Sequence, residues 1–595
     1  MKSTDNATEQ TPKAADDAPK ADGVRETIDS IVVALILAFV FRAFIVEAFV
    51  IPTGSMAPSL NGKHGQHRCE NCGYAFVYGI RDPIIEQHPN GRGTTSISGT
   101  IQNESGNLIQ FNLRCPNCTW EGEGNEHLNS ADKTVVANSG DRILVLKWPY
   151  DIGGRWLGPQ RWDVVVFKNP QDGEINFIKR LLGLPGEVLQ IIDGDVYAAP
   201  IASVPKDIIE ALNAPEPAIR QPVIQQLTDA QLLRLARTVK IQRKTRVAQD
   251  SLWMLHCDQD FVPRPRDPED VGRSYDPPRW VERESNLPRA WDASTPVVRF
   301  KPTDSAVHWL ELTGAPIADE YGYNNVNVGA NVPAGTRINS DRAPGHDYVG
   351  DVKVSCIVFP TGSPGDGEMI LHLQRGPDRF QTRINATGKV VLERFNKSIR
   401  DGYWEELRRG EIAPPMAGRP IEIEFQNLDY RVSLSVNGEE VVATDDNQYF
   451  PDMDRLLKPQ YEDGRSHAQL SIAARTFPCE IRHLKVMRDV YYRADRIDNR
   501  RPGWGTATNP ILLRETPEDF FCCGDNSPQS KDSRLWTDVC KMLRDREPPN
   551  EYRMGTVPGD QMIGRAFFVY WPSGLRFSKD TMPVIPNVGR MRLIR

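Results

Sequence analysis

Hydrophobic and polar positions divide the chain into one long apolar block and many short alternating ones. The long block covers residues 28–46 and carries charges only at Asp29 and Arg42. A helix of that length spans nearly the hydrocarbon thickness of a bilayer. The pattern therefore predicts a transmembrane anchor over 28–50, preceded by a disordered tail over 1–27. A cleavable signal peptide and a buried helix of a soluble domain are the alternatives.

Short strands dominate the remainder of the chain. Between residues 292 and 492, β-branched runs alternate with Gly, Asn and Asp turns, which predicts an antiparallel sandwich. The predicted strands are Val352–Phe359, Glu368–Leu373, Phe380–Ile384, Val390–Arg394, Ile421–Asn427, Tyr430–Val436, Gly438–Thr444, Ala468–Ala474 and Glu480–Arg488. The block resembles a lectin or laminin-G jelly roll of the concanavalin type. Two roles are left open for this block: binding of an unknown glycan or protein ligand, and a purely structural role as a spacer.

Charge and composition narrow the function. The 595 residues carry a formal net charge of −7, which opposes a nucleic-acid partner bound through a broad basic surface. The presence of one long apolar segment excludes a multi-pass membrane protein. Ten cysteines are too few for a disulfide scaffold of this length, so their spacing carries the information.

Two residues far apart in sequence suggest proton-transfer chemistry. Ser55 lies in IPTGSMAPSL directly after the predicted anchor, and Lys179 interrupts the apolar strand FIKRLLG. Burial lowers the pKa of a lysine, so Lys179 is expected to act as a neutral amine near pH 7. Such an amine within hydrogen-bond reach can take the proton of a serine hydroxyl. A third polar stretch, GDNSPQSKDSR at 524–534, adds a hydroxyl and a carboxylate–guanidinium pair.

In chain order these segments resemble the type I signal peptidases, which are membrane-bound serine proteases. The matching segments are the anchor, IPTGSMAPSL (51–60), GDRILVLK (140–147), RWDVVVFKNP (161–170), FIKRLLGLPGE (177–187), GDNSPQSKDSR (524–534) and MIGRAFFVYWP (562–572). The resemblance covers less than a quarter of the chain. It implies an all-β catalytic fold carrying a Ser/Lys dyad.

The resemblance also implies a role for each matching residue. Ser55 matches the nucleophile and Lys179 the general base. Thr53 matches an oxyanion-hole hydroxyl, and Ser530 the hydroxyl that orients the lysine amine. The residues expected to brace the site are Asp525, Asp532 and Arg534. Arg161-Trp162-Asp163 departs from the usual Arg-Gly-Asp, so we expect a reshaped turn there.

The implied reaction needs no cofactor. None of the ten histidines lies in these motifs, so no Ser-His-Asp triad has an obvious candidate. The expected substrates are secretory preproteins with small residues at −1 and −3, cleaved beside the lipid bilayer. The resemblance implies a single-pass protein of the cytoplasmic (inner) membrane, with its catalytic domain on the extracytoplasmic side. Charge alone does not fix the orientation, and the sequence does not identify preferred preproteins or an oligomeric state.

Two sequence features imitate catalytic motifs. Ser130–Lys133 and Ser203–Lys206 both satisfy the S-x-x-K pattern of penicillin-binding enzymes. Two occurrences in a chain of this length are close to chance. A second Pro-Thr-Gly-Ser at 360–363 is followed by Pro-Gly and has no anchor before it, so we interpret it as a turn.

Four cysteines have the spacing of a metal site. They form two Cys-x-x-Cys pairs in turns 42 residues apart: Cys69, Cys72, Cys115 and Cys118. Paired knuckles of this kind are typical of tetrahedral zinc in zinc ribbons. The spacing predicts structural Zn²⁺, and two disulfides are the alternative in an oxidising compartment. Four thiolates leave no open coordination position for catalysis.

These features predict a mainly β protein with two insertions in a signal-peptidase-type all-β domain. The catalytic domain is assigned to 51–62, 136–210 and 505–595, with a zinc ribbon inserted at 63–135. A partly helical linker at 211–291, with a helix at 230–239 capped by Asp229, leads to the jelly roll at 292–492. The alternative function is a membrane-anchored binding protein on a catalytically retired peptidase scaffold. Retention of both Ser55 and Lys179 opposes that alternative.

Overall fold

A computed structural model describes most of the chain in separate stretches. They are 23–81, 110–123, 138–152, 157–213, 227–264, 277–319, 325–327, 337–339, 347–362, 365–397, 402–457, 468–494, 502–548, 550–572 and 587–594. The Ser130–Lys133 motif, most of the predicted tail and Ser363 of the second Pro-Thr-Gly-Ser lie outside these residues. All statements below concern the described stretches.

Seven α-helices are described, and most are short. They are α1 (Gly23–Val40), α2 (Trp148–Ile152), α3 (Lys206–Asn213), α4 (Asp229–Thr238), α5 (Arg246–Leu252), α6 (Met453–Leu456) and α7 (Lys541–Arg544). The helix predicted at 230–239 is α4. Its cap is Thr228 rather than Asp229: the Thr228 side chain accepts from the Gln231 N–H, and Gln231 reciprocates in a capping box.

Thirty-three strands make the described part of the protein mainly β, as predicted. The strands before the sandwich are β1 (Val46–Val50), β2 (His64–Arg68), β3 (Ala75–Arg81), β4 (Gln110–Arg114), β5 (Glu121–Glu123), β6 (Arg142–Leu146), β7 (Val164–Lys168), β8 (Asn176–Gly183), β9 (Glu187–Ile192), β10 (Asp195–Pro200), β11 (Lys240–Ile241) and β12 (Met254–Asp258). The middle strands are β13 (Arg279–Glu282), β14 (Trp291–Asp292), β15 (Val298–Phe300), β16 (His308–Thr313), β17 (Asn325–Asn327), β18 (Arg337–Asn339), β19 (Val352–Pro360), β20 (Glu368–Arg375), β21 (Asp378–Asn385), β22 (Lys389–Asn396), β23 (Tyr403–Glu411), β24 (Ile421–Leu428), β25 (Arg431–Val436), β26 (Glu439–Ala443), β27 (Ala468–Arg475) and β28 (Cys479–Arg488). The last strands are β29 (Ile511–Leu513), β30 (Asp519–Cys523), β31 (Val557–Pro558), β32 (Met562–Trp571) and β33 (Arg592–Leu593).

Strands from distant parts of the chain form the first sheet. Its order is β1-β6-β32-β7-β8-β30-β31, with β33 beside β32, and every pairing is antiparallel. A second sheet has the order β11-β10-β9-β29, and its strand β9 directly follows β8 of the first sheet along the chain. Val164, Val165, Val166 and Phe167 are all buried, because β7 is covered on both faces. The insertions therefore interrupt the sequence of the first sheet without interrupting its hydrogen bonding.

The middle strands form a two-sheet antiparallel sandwich. One sheet has the order β14-β15-β28-β19-β24-β25-β26 with β12 on β28, and the other β13-β16-β27-β20-β21-β22-β23. All nine strands predicted between 352 and 488 are present. Strands β12 and β13, however, come from the segment predicted as a linker at 211–291. The sandwich therefore begins before residue 292, because the edges of its sheets need partners that this segment supplies.

The core of the sandwich is continuous with the second sheet. Tyr197 and Val188 belong to the same buried apolar cluster as Phe380 and Phe425 of the sandwich. Gly194 lies against the Tyr491 ring so closely that a Cβ there would be 2.2 Å from it. The sandwich is therefore packed onto the second sheet rather than joined to it by a flexible connection.

A buried ionic cluster reinforces this junction. Arg375 pairs with Asp351 and lies 3.3 Å both from Asp193, on the turn between β9 and β10, and from Asp195, the first residue of β10. Lys244 pairs with Asp429 at 2.8 Å and with Asp489 at 2.7 Å. All seven side chains are at most 5 % exposed. Burial raises the pKa of Asp195, and that of Asp489 to about 6, against the lowering effect of the neighbouring cations.

The predicted anchor divides into two kinds of structure. α1 ends at Val40, a π-helical turn covers Phe41–Ile45, and Val46–Val50 form β1, paired with β6 from Val46↔Leu146 to Val50↔Arg142. The last five residues of the predicted anchor thus belong to the first sheet, because β6 offers them a complete hydrogen-bonding edge. Among the described residues, no helix combines the length and the apolar character needed to cross a membrane.

Removing the central cation of the buried cluster should destabilise the protein strongly. Arg375→Ala leaves Asp351 and Asp195 buried without their counter-charge, which typically costs about 3–5 kcal/mol. Arg237→Ala is the matched control, because its pair with Asp454 is 57 % exposed on both sides and such pairs contribute about 0–1 kcal/mol. Urea unfolding followed by tryptophan fluorescence measures both variants. Equal unfolding midpoints would contradict a structural role for the cluster.

Candidate active site

Ser55 lies on a short 3₁₀ turn, Gly54–Met56, just after β1 and the extended residues 51–53. Met56 is fully buried in a core cluster with Ile51 and Leu60, which fixes the turn against the first sheet. The carbonyl oxygens of Gly54 and Ser55 accept hydrogen bonds from Asn526, from its side-chain amide at 3.0 Å and its backbone N–H at 3.1 Å. The turn is held from both sides, and the half-buried Ser55 side chain is left to face its neighbour on β8.

That neighbour is Lys179, which is 4 % exposed. Its Nζ donates to Ser55 Oγ at 2.8 Å and to the Ile178 carbonyl at 3.0 Å. Burial lowers the pKa of Lys179 to about 8, although Asp532, Asp525 and the thiols of Cys522 and Cys523 act in the opposite direction. An amine with this pKa is partly neutral near pH 7 and can accept a hydroxyl proton. The arrangement can therefore activate Ser55 as a nucleophile.

Asp532 and Arg534 brace the loop that faces Ser55. The Arg534 guanidinium contacts the Asp532 carboxylate twice, at 2.9 and 2.8 Å, and Asp532 also accepts from the Gly524 N–H at 2.9 Å. Both side chains are fully buried. Burial by itself would raise the pKa of Asp532, but Arg534 and the hydrogen bonds lower it below its usual value. Arg534 also reaches Ser527 Oγ at 2.8 Å, so one ion pair fixes most of the loop.

Asp525 forms a second buried ion pair, whose partner the sequence analysis did not identify. Arg180 donates to both oxygens of the Asp525 carboxylate at 2.7 Å, and both side chains are at most 1 % exposed. Arg180 also donates to the Trp162 carbonyl and to Ser251 Oγ. Because Arg180 follows Lys179 directly, this pair fixes the strand that carries the lysine. An arginine in an apolar strand signals a buried carboxylate partner, and that signal was available.

Asn526 is the second residue that sequence reasoning missed. Its two hydrogen bonds to the Ser55 turn make it the direct link between the loop and the nucleophile position. No charge or periodicity marks it, since Asn is common in turns for conformational reasons alone. Its role follows only from the three-dimensional pairing of two segments more than 400 residues apart.

Ser530 does not occupy its predicted role. The described residues contain no hydrogen bond between Ser530 and Lys179, whose amine instead contacts Ser55 and Ile178. The Ser530 side chain is 2 % exposed and lies beside the Asp532 carboxylate and Gly524.

Thr53 lies on the exposed side of the turn. Its backbone is extended, with φ −119° and ψ 159°, and its side chain forms no capping hydrogen bond with the 3₁₀ turn. The hydroxyl therefore stands two residues before Ser55 without a fixed partner in the turn. Gly62 packs against its backbone, where a Cβ would lie 2.2 Å from the Thr53 carbonyl carbon.

Trp162 stands where the resembling family usually has glycine, and the backbone at this position is unusual. Trp162 has φ +74°, a left-handed conformation that favours glycine and costs other residues about 1–3 kcal/mol. Its indole is 4 % exposed, donates to the Arg243 carbonyl at 3.1 Å and lies under the Lys244 ammonium. Contacts of the indole with Arg243 and Lys244, in the segment before the sandwich, offset the strain.

The second S-x-x-K motif forms no comparable pair. Ser203 donates to the Pro200 carbonyl at 2.8 Å on an exposed 3₁₀ turn, and Lys206 begins α3 on the surface. Both residues are exposed. Ser203 and Lys206 therefore serve as internal controls for the Ser55 and Lys179 pair.

Four cysteines meet at the tips of two hairpins, β2–β3 and β4–β5. The Cys69 and Cys118 sulfurs are 3.6 Å apart, the Cys72 and Cys115 sulfurs 3.7 Å, and all four lie within 4.8 Å of one another. Ligands at about 2.3 Å from a zinc ion stand about 3.8 Å apart in a tetrahedron, which these separations match. Asn71 and Asn117 donate to two of the sulfurs, as is common around bound metal thiolates. The cysteines therefore fit a tetrahedral metal ion.

Comparison with known proteins identifies the class first. A family described as "Signal peptidase, peptidase S26" matches residues 125–260 and 488–571, which include Lys179 and the loop at 524–534. The matched segments cover a little over a third of the chain, and over them the chain is similar to the signal peptidases.

Individual relatives cover limited parts of the chain. Signal peptidase I of Pseudomonas fluorescens is 29 % identical over 156 residues, which are 26 % of this chain and 31 % of the relative. Signal peptidase I of Rickettsia typhi is 51 % identical over 39 residues, 7 % of this chain and 15 % of the relative. The chain thus spans less than a third of the length of these curated relatives.

Solved structures give further, weaker similarities. The carbohydrate-binding module CBM66 of Bacillus subtilis covers 35 % of this chain and 94 % of its own, with a TM-score of 0.22 and 7 % identity. Sheep galectin-11 covers 23 % of this chain and 90 % of its own, with a TM-score of 0.17 and 15 % identity.

A methyl group at position 524 should disturb the candidate site directly. An added Cβ would lie 2.3 Å from Ser530 Oγ and 2.4 Å from the Ser55 carbonyl oxygen, and the second contact involves backbone. Gly524→Ala should therefore lower the free energy of unfolding by about 1–3 kcal/mol through overpacking. Gly589→Ala is the control, because the nearest atom there would be 3.7 Å away. Thermal unfolding of both variants checks the difference, and a Gly524→Ala variant as stable as wild type would contradict the close approach.

Proposed function

We propose that this chain is a membrane-bound serine endopeptidase, a signal peptidase I that removes N-terminal signal peptides from secretory preproteins by a Ser/Lys dyad. The observation that carries the proposal is the 2.8 Å separation of Lys179 Nζ and Ser55 Oγ, with the lysine buried and its pKa lowered to about 8. The similarity of residues 125–260 and 488–571 to the signal peptidase family supports the reaction class.

In the proposed reaction the neutral amine of Lys179 takes the Ser55 proton as Oγ attacks the scissile carbonyl carbon. The tetrahedral intermediate collapses with cleavage of the C–N bond, and the ammonium returns the proton to the leaving amine of the mature protein. The signal peptide is then held as an ester on Ser55. Water then attacks the ester, and Lys179 takes a proton from that water. The C–O bond to Ser55 breaks, and Lys179 returns the proton to Ser55 Oγ.

The oxyanion would be stabilised by the Ser55 N–H and the Thr53 hydroxyl. The exposed Thr53 side chain forms no capping hydrogen bond with the turn, so its hydroxyl is available to a substrate oxygen. One donor of this type is typically worth about 3–4 kcal/mol of barrier. Asp525, Asp532 and Arg534 would brace the loop without touching the reacting atoms, since all three are buried in ion pairs.

We further propose that the enzyme acts at the cytoplasmic membrane, with the catalytic domain on the outer side. The apolar side chains of α1 are between 46 % and 67 % exposed in the isolated chain: Ile28, Ile31, Val32, Val33, Leu35, Ile36, Leu37, Phe39 and Val40. A lipid phase would cover them, and it would also hold preproteins near Ser55 at a raised effective concentration. Small residues at −1 and −3 are the expected substrate signature.

Substitution of the dyad tests the function. Ser55→Ala and Lys179→Ala should each lower preprotein cleavage in detergent by about four orders of magnitude or more while the protein stays folded. Ser203→Ala and Lys206→Ala are matched controls from the exposed S-x-x-K motif and should cleave at the wild-type rate. Turnover retained by either dyad variant would remove the basis of the proposal.

The same cleavage assay should depend on pH in a defined direction. The amine is active only when deprotonated, so kcat/KM should rise with pH and level off above an apparent pKa near 8. Activity should fall about tenfold for each pH unit well below that value. Cleavage of one preprotein between pH 5 and 10 measures the profile. A profile that is flat from pH 6 to 9 would contradict Lys179 as the base.

We also propose that the four cysteines hold one structural Zn²⁺, which would lock the two hairpins together. Elemental analysis of purified protein should give about one zinc per chain. Cys72→Ser should lose most of the metal, whereas Cys540→Ser, at a half-buried cysteine outside the cluster, should keep it. Absence of zinc together with two disulfides in the mass spectrum would instead establish the oxidised alternative.

A further inference from the structure

The outer face of the seven-stranded sandwich sheet carries an unusual set of side chains. Alternation along each strand separates this face from the core: Leu371 and Leu373 point inward on β20, and His372 between them points outward. The same alternation places Trp309 on β16, Phe395 on β22 and Trp404 on β23 on the outer face.

These outward aromatic residues form a continuous row. The Trp309 and His372 rings are 6.2 Å apart, His372 and Trp404 5.9 Å, and Trp404 and Phe395 5.3 Å. The imidazole is nearly perpendicular to both indoles, at 89° and 88°. All four side chains are half-buried. We call Trp309, His372, Trp404 and Phe395 the aromatic row.

The row exists because side chains lean across the sheet. β20 and β23 are separated by two strands, so their backbones are about 14 Å apart at about 4.8 Å per strand. The Trp404 ring nevertheless approaches His372, and Gln381 on the intervening β21 is 95 % buried. On the other side Ser471 and Ala473 of β27 are small and leave room for Trp309. Such rings present a broad, fixed apolar surface beside polar groups of the sheet.

Polar groups with fixed geometry surround the row. Gln381 donates to Glu393 at 2.6 Å, Arg283 donates to Glu311 at 2.7 Å, and His372 Nδ1 is 3.3 Å from Ser471 Oγ. Burial lowers the pKa of His372 to about 4, so its ring is neutral near pH 7.

The two ends of the row carry arginines. The Arg283 guanidinium lies over the Trp309 ring, and the Arg379 guanidinium lies over Phe395 with a buried Nε that has no hydrogen-bond partner among the described residues. The two arginines beside the row, Arg283 and Arg379, equal in number the two carboxylates beside it, Glu311 and Glu393, so these four formal charges sum to zero. The surroundings of the row offer both donors and acceptors.

We propose that the aromatic row binds a neutral oligosaccharide. Sugar rings carry apolar C–H faces that pack on indoles and hydroxyls that need paired donors and acceptors, and this face supplies both. A charged ligand would meet no net opposite charge, and the fixed polar groups set the row apart from a purely apolar protein interface. This site lies on the sandwich and is independent of the dyad, so it adds a binding function to the proposed peptidase.

The test uses the full chain in a zwitterionic detergent, because glycosidic detergents would compete. The probe is an array of neutral and anionic oligosaccharides, followed by titration of the best neutral binder with tryptophan fluorescence as the readout. Trp404→Ala and Trp309→Ala should each weaken binding at least tenfold. Tyr403→Ala is the matched control, since Tyr403 is the exposed neighbour on the opposite side of β23 and should bind as wild type. Thermal unfolding confirms that each variant is folded.

Each outcome decides the proposal. A neutral oligosaccharide lost in both tryptophan variants and kept in Tyr403→Ala supports it. An array without a binder, binding only to anionic glycans, or binding unaffected by both tryptophan substitutions overturns it. If instead the wild-type chain binds unfolded polypeptides through these tryptophans and no glycan, the row is a protein interface. Preprotein cleavage is measured separately on the Ser55 variants, so failure of either proposal leaves the other intact.

Discussion

The burial of the Lys179 amine determines how the rest of the site is built. Lys179 has a lowered pKa only because it is buried, and a buried amine close to two carboxylates would normally become charged. Those carboxylates, Asp525 and Asp532, are each held by an arginine, which limits their pull on the lysine. The two ion pairs thus protect the low pKa of the amine as well as the shape of the loop. Loss of either arginine would expose Lys179 to an unpaired negative charge.

The insertions are part of this arrangement rather than additions to its surface. The chain leaves the sandwich at Arg493, whose N–H donates to Ser527 Oγ and whose carbonyl accepts from Arg534. Ser251, on the helix that precedes the sandwich, accepts from Arg180. Both flanks of the sandwich therefore contact residues that position Lys179 or its facing loop. The strained backbone of Trp162 belongs to the same interface, because its indole packs against Arg243 and Lys244.

Local sequence signals predicted the elements well and their long-range partners poorly. Nine sandwich strands were identifiable because buried and exposed residues alternate along them. β23, with the sequence YWEELRRGE, was missed because its charges mask that alternation. The Ser55 and Lys179 pairing was predicted from a family resemblance, whereas Arg180–Asp525 and the Asn526 contacts depend on how segments hundreds of residues apart meet. The extent of the sandwich was underestimated because β12 and β13 join it from the preceding segment.

Two short strands between β16 and β19 have a consequence for the architecture. β17 pairs in parallel with β3, and β18 pairs in parallel with β4, so the connection within the sandwich completes both cysteine-bearing hairpins. Asn117, beside Cys118, bonds to the backbone of Asp258 and Phe261 as well. Neither insertion can be excised alone without leaving open strand edges on the other. A shortened version of this chain would therefore have to lose both insertions together to keep every one of these strands paired.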